Sequence, residues 1–156
     1  MIGVFDSGVG GLSVWQKLKE TVPGASTIYL ADSAYAPYGE KSSADIQERA
    51  KRVVRTLVEH GAQMIVVACN TATVNAIEQL REEFPDTPIV GIEPAIKPAA
   101  AASDAVIVLG TKSTVSNPRY HALVEQSTSG HVVWNIAAPE LVHQVERGEL
   151  EDTTNL

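Results

Sequence analysis

Six short runs dominated by Val, Ile and Leu, at residues 2–5, 27–30, 64–68, 89–92, 105–109 and 132–136, alternate with longer segments whose apolar residues recur every three or four positions. Runs that are apolar at successive positions predict strands covered on both faces, and their alternation with helical segments predicts βα repeats. The fold class is α/β, a doubly wound and mostly parallel sheet. The clearest helix follows Ser42, where Ser42 and Asp45 can form a capping box and Ile46, Ala50, Val53, Val54 and Leu57 share one face until Gly61 ends it. A second helix is expected to start near Thr73, bury Ile77, Leu80 and Phe84, and stop at Pro85. Further helices are expected over 12–19, 96–102, 117–125 and 140–145.

The βα rhythm is interrupted by Glu93-Pro94 and Lys97-Pro98, a natural place for the chain to cross into a second lobe. Residues 1–97 are therefore read as a first α/β lobe and 98–156 as the start of a second. After Gly148 nothing in the sequence completes another βα unit, so the second lobe reads as incomplete. A length of 156 residues with 44% hydrophobic residues suits one ordinary globular core, and a single cysteine excludes an internal disulfide scaffold. The net charge of −7 argues against nucleic acid or an anionic membrane as partner, and Lys51, Arg52 and Arg55 share their helix with Glu48 and Glu59. Met1 leads directly into Ile2-Gly3-Val4-Phe5 with no basic segment, and no apolar run has bilayer length. A cytoplasmic protein is expected.

In a doubly wound sheet ligands bind beyond the carboxyl ends of the strands. There the sequence places Asp6-Ser7-Gly8-Val9-Gly10-Gly11, Asp32-Ser33, Cys69-Asn70-Thr71-Ala72-Thr73 and Gly110-Thr111-Lys112-Ser113-Thr114. Gly8 and Gly10 are the first two glycines of a G-x-G-x-x-G loop, and Asp32 stands where a ribose-binding acid would, so a dinucleotide site is one reading. Against it, Ser13 replaces the third glycine and Asp6 opposes a pyrophosphate. Cys69 reads either as a small buried hydrophobe or, at a helix N-terminus, as a thiolate able to act as base or nucleophile. His60, His121, His131 and His143 show no metal-ligand spacing.

Asp6-Ser7-Gly8-Val9-Gly10-Gly11-Leu12, Pro37-Tyr38-Gly39, Cys69-Asn70-Thr71-Ala72 and Gly91-Ile92-Glu93-Pro94, in that order, resemble the glutamate racemases. The resemblance runs from residue 1 to about residue 148. It implies two lobes with the substrate between them and cofactor-independent interconversion of L- and D-glutamate, which supplies D-glutamate for peptidoglycan and so for cell-wall formation and cell shape. It makes Cys69 the base for one face of the substrate, with Asp6 beside it helping to deprotonate the thiol and meeting the substrate ammonium. Ser7, Tyr38, Gly39, Asn70 and Thr71 match residues that hold the carboxylates and amino group, and Thr111 and Thr114 add hydroxyl donors. Glu146 matches a glutamate that assists a histidine near the opposite base. The Cys-Thr-His motif supplying that opposite base is absent from these residues, and Ala138 stands where some relatives have cysteine. The implied partner is the small molecule glutamate, with no metal or cofactor; two-lobe racemases commonly form homodimers. These 156 residues alone are not expected to racemise. Alternatives are a single-face lyase or a binding protein of the same superfamily, as well as the dinucleotide domain.

Overall fold

The computed structural model describes residues 1–128 and 130–149. All six expected strands are present: β1 (Ile2–Asp6), β2 (Thr27–Ala31), β3 (Met64–Val67), β4 (Ile89–Gly91), β5 (Ala105–Gly110) and β6 (Val132–Ala137). The helices are α1 (Leu12–Thr21), α2 (Ser43–Glu59), α3 (Asn70–Glu83), α4 (Ile96–Ala102), α5 (Lys112–Val115), α6 (Pro118–Ser127) and α7 (Pro139–Arg147). Residues 150–156, expected to leave the second lobe unfinished, lie outside the described residues.

The first four strands form one parallel sheet in the order β2-β1-β3-β4, with Phe5 aligned to Leu30 on one side and Val67 on the other. The chain thus leaves β1 for β2 in one direction and returns to place β3 on the opposite side. The strand order reverses between β1 and β3, and their carboxyl ends splay into a crevice there.

The principal core lies where α2 and α3 cover this sheet. Val53, Val54 and Leu57 from α2 and Ile77 and Leu80 from α3 meet Phe5, Ile65 and Val67, all of them buried. The α2 stripe is the one expected. Its amino end is capped by the Ser42 hydroxyl, which accepts from the Asp45 N–H at 3.1 Å while donating to the Asp45 carboxylate. The basic residues of α2 are neutralised by ion pairs: Lys51 and Arg55 with Glu83, Arg52 with Glu48.

Helix α3 begins at Asn70, three residues before the expected Thr73. The hydroxyl and amide residues after Cys69 look like caps, but the thiol itself takes that role, its sulfur accepting from the Ala72 N–H at 3.4 Å. The sulfur is thereby fixed at the first turn of a helix that is buried along most of its length.

Strands β5 and β6 form a separate parallel pair, Ile107 against Trp134 and Leu109 against Ile136. Here the expectation of cover on both faces fails. Ile107 is 62% exposed and Trp134 52%, so among the described residues one face of this sheet is open, while Val106 on the other face is buried. A residue-by-residue apolar run reports what a strand can bury, and says nothing about whether a covering layer is present. No helix among the described residues is long and apolar enough to cross a membrane.

Gly11 follows from this packing. A Cβ there would stand 2.7 Å from Asp6 Cβ and 3.0 Å from Ala68 Cβ, distances that require backbone to move. Gly11→Ala is expected to lower stability by about 1–3 kcal/mol. Denaturant unfolding of the variant against the parent measures it, and a change below a few tenths would contradict the packing.

Candidate active site

The carboxyl ends of both sheets open on one cleft of about 690 Å³. Asp6 and Ser7 come from the end of β1, Cys69, Asn70 and Thr71 from the turn into α3, Thr111 and Thr114 from the turn after β5, and Glu146 from α7. Apart from Ser13, the remainder of the wall is apolar, including Ile96, Val106, Leu141 and Val142. Chain segments separated by more than a hundred residues thus supply a polar floor under apolar sides.

Asp6 is 4% exposed, and one of its carboxylate oxygens accepts from the Gly8 and Gly11 N–H groups at 3.1 and 3.0 Å. The glycine loop therefore folds around a protein carboxylate. That removes the dinucleotide reading, because the amides that would cradle a pyrophosphate are occupied by an anion of the chain itself. Asp32, the supposed ribose acid, is likewise engaged: Arg49 grips both its oxygens at 2.6 and 3.0 Å and the Tyr38 hydroxyl donates to it at 2.6 Å.

Cys69 is 7% exposed, with its sulfur 3.4 Å from the Ser7 hydroxyl. Burial, reinforced by the negative charge of Asp6, pushes the thiol up to about 11, against the smaller opposing effect of the Ser7 and Ala72 hydrogen bonds. This corrects the expectation that the helix N-terminus and Asp6 favour the thiolate. Desolvation and a like charge outweigh the helix dipole, so the group at neutral pH is a protonated thiol whose conjugate base is strong. The shift has a consequence for stability. The thiol ionises near 9 when unfolded and near 11 when folded, so the fold is favoured below pH 9 and loses up to about 3 kcal/mol as pH rises through 11. Between pH 8 and 11 the parent is expected to lose about 2 kcal/mol more unfolding free energy than Cys69→Ala does, and an equal pH dependence in the two proteins would contradict the burial.

Thr71, Thr111 and Thr114 form a triangle of hydroxyls with separations of 2.9, 3.1 and 2.9 Å. Each oxygen is both donor and acceptor, so the three can turn their hydrogens toward an anion entering the cleft. Beside them the Asn70 side-chain oxygen is buried without a hydrogen-bond partner. An acceptor left so is matched by a ligand that donates. Glu146, half-buried, accepts from the Val9 N–H at 3.3 Å, and Gly8 has no Cβ that would collide with its carboxylate. His143 on the same helix pairs with Glu40 at 2.6 Å, tying α7 to the 3-10 turn Tyr38–Glu40.

Two expected residues stand back from the cleft. Tyr38 is 2% exposed, with its hydroxyl committed to Asp32. Gly39 lies against Thr111, where a Cβ would come within 2.5 Å of the threonine Cβ. Both support the cleft from behind. Tyr29 is a residue that sequence reasoning missed: its hydroxyl donates to the Gly8 carbonyl at 2.9 Å, and burial, with the nearby Asp6 and Glu146, raises it well above the usual tyrosine range. Its signal was present only in the β1–β2 register, which pairs it with Val4, two residues before Asp6. Among the described residues no group of His, Cys, Asp and Glu could hold a metal ion.

A doubly wound sheet with a buried thiol and a buried carboxylate at its switch point, facing a cluster of hydroxyls, is an arrangement suited to proton transfer on a small anionic molecule. Residues 2–156 match the Asp/Glu/Hydantoin racemases, and the chain belongs to that family. Its relatives include glutamate racemase of Pseudomonas aeruginosa, 47% identical over 96% of this chain and 57% of its own length, and that of Stutzerimonas stutzeri, 47% identical over 96% and 58%. Among solved structures, Escherichia coli glutamate racemase in complex with L-glutamate and the activator UDP-MurNAc-Ala matches with a TM-score of 0.89 and 38% identity, covering 97% of this chain and 57% of that one. An aspartate racemase homologue from Pyrococcus horikoshii, at 19% identity and a TM-score of 0.51, shares the fold alone. The chain spans a little over half the length of these glutamate racemases.

Proposed function

We propose that the chain forms the Cys69 half of a glutamate racemase site, taking and returning the Cα proton at one face of glutamate without a cofactor. The observation that carries this is the placement of the buried Cys69 sulfur against Ser7 at the crevice between β1 and β3, in the cleft that the threonine triangle also lines.

The Cα hydrogen of an amino acid is very weakly acidic, so its removal requires a strong base held close and stabilisation of the charge that develops on the adjoining carboxylate. The Cys69 thiolate takes the proton and becomes the neutral thiol. The electron pair left at Cα delocalises into the carboxylate, where the hydroxyls of Ser7, Thr71, Thr111 and Thr114 donate to the developing charge. The substrate ammonium lies between the Asp6 carboxylate and the unpartnered Asn70 oxygen. Its positive charge offsets Asp6 and eases loss of the thiol proton to solvent, so the base is generated when substrate is bound and the thiolate then takes the Cα proton. Glu146 on α7 faces the same cleft from the opposite lobe. Inversion needs a second proton donor on the other face, and the single cysteine of these residues cannot serve both faces.

Calorimetric titration with glutamate tests the substrate assignment. A saturable heat with L- or D-glutamate, absent with NAD, supports it; equal binding of glutamate and NAD, or of neither, overturns it. The single thiol also favours a second reading, a lobe that binds glutamate without turnover. In that case Cys69→Ser binds as the parent does and neither catalyses exchange.

A further inference from the structure

We infer that Asn75 is a positioning residue whose side-chain amide bolts the 111–117 turn to α3 and so sets the spacing of the Thr71, Thr111 and Thr114 hydroxyls. The role for those hydroxyls in holding a glutamate carboxylate rests on the function proposed above.

Asn75 lies one turn after Thr71 in α3 and is 6% exposed. A carboxamide offers two donors and two acceptor lone pairs, and here all four are used. Its nitrogen donates to the Thr71 carbonyl at 2.8 Å and to the Ser113 hydroxyl at 2.9 Å. Its oxygen accepts from the Ser43 hydroxyl at 2.7 Å and from the Asn117 side-chain nitrogen at 3.4 Å. Thr71 O can only accept and Asn117 Nδ2 can only donate, so the amide orientation is determined by its partners. One side chain therefore ties its own helix to the first residue of α2, to the middle of α5 and to the residue that caps α6, where Asn117 Oδ1 accepts from the Arg119 N–H at 2.9 Å.

Ser113 stands between Thr111 and Thr114 in the chain. Fixing it fixes the turn that carries both threonines, one layer behind the triangle. The turn's other hydrogen bonds to α3 among the described residues join the hydroxyls of Thr111 and Thr114 to that of Thr71, and these are free to rotate and must reorient when an anion arrives. An asparagine in the middle of a helix carries an unfavourable propensity, and an apolar residue would pack in the same space. The directional bonds offer what packing does not, a fixed distance and angle between the two lobes.

Hydrogen exchange and glutamate titration on Asn75→Ala, Asn75→Asp and Ser113→Ala test this. Asn75→Asp keeps the shape but sets an acceptor against the Thr71 carbonyl. The amides of Thr114, Val115, Ser116 and Asn117, all hydrogen-bonded within the turn, are expected to exchange about tenfold faster in both Asn75 variants, while those of Val53, Val54 and Leu57 hold their rates. Glutamate affinity is expected to fall about tenfold in the Asn75 variants and a few-fold in Ser113→Ala. Asn75→Ala and Ser113→Ala combined should lose less than the sum of the two. Ser113→Ala, at the margin of the network, keeps the test open if an Asn75 variant does not fold. Unchanged exchange in the turn, or faster exchange with undiminished affinity, overturns the inference. If the parent chain binds no glutamate, the substrate reading falls and the exchange comparison alone decides the bolt.

Discussion

Replacing Cys69 with alanine is expected to abolish solvent exchange at the Cα of glutamate, a loss on the order of 10² to 10⁴ in rate. The expectation follows from the absence, among the described residues, of an alternative base at that face. Ser7 and the threonines are hydroxyls too weakly acidic to form the required anion, and Asp6 is committed to the Gly8 and Gly11 amides. Alanine is expected to leave the fold intact, because the sulfur contributes two weak 3.4 Å contacts, with the Ser7 hydroxyl and the Ala72 N–H, and a small part of the core. Retained glutamate affinity with lost exchange would separate chemistry from binding. Exchange surviving at the parental rate would show that another group moves the proton.

Asp6→Asn has the second largest expected effect, and it acts in two opposed ways. Removal of the negative charge lowers the Cys69 thiol from about 11 toward its ordinary value, since Asp6 is the second largest cause of the upward shift. The thiolate fraction at neutral pH therefore rises, and alkylation by iodoacetamide should reach half its limiting rate at lower pH than in the parent. The substrate ammonium loses its buried counter-charge at the same time, and exchange should fall by roughly 10². A more reactive thiol with a slower enzymatic reaction is the signature. Parallel loss of both would indicate a disrupted loop, and no change in the alkylation profile would mean that Asp6 does not act on the sulfur.

The β-rich runs were legible because a strand buried in a parallel sheet must be apolar at successive positions, and each of the six runs became a strand to within one residue at either end. The convergence of Asp6 and Cys69 on one mouth followed from the polar residues at strand ends, whereas the strand order that sets β1 beside β3 is not encoded in linear spacing. Other features depend on distances that linear spacing does not encode. The α3 cap was misplaced because sulfur is a poor acceptor and hydroxyl residues followed it. Tyr38 and Gly39 were set in the cleft by resemblance, whereas the Asp32–Arg49 ion pair draws the tyrosine hydroxyl away from it. Asn75 passed unnoticed inside an otherwise ordinary helix, since its partners Ser43, Ser113 and Asn117 lie 32, 38 and 42 positions away. The thiol's upward shift was missed for the same reason: a helix N-terminus is visible in sequence, but the depth of burial that overrides it is not.

Incubation of the chain with L- and D-glutamate in deuterium oxide, followed by mass spectrometry of the Cα position and chiral separation of the product, addresses the central claim directly. Deuterium should enter one enantiomer, with its configuration retained and the other enantiomer left unlabelled. Racemisation by these residues alone, or failure of both enantiomers to exchange, would contradict the account.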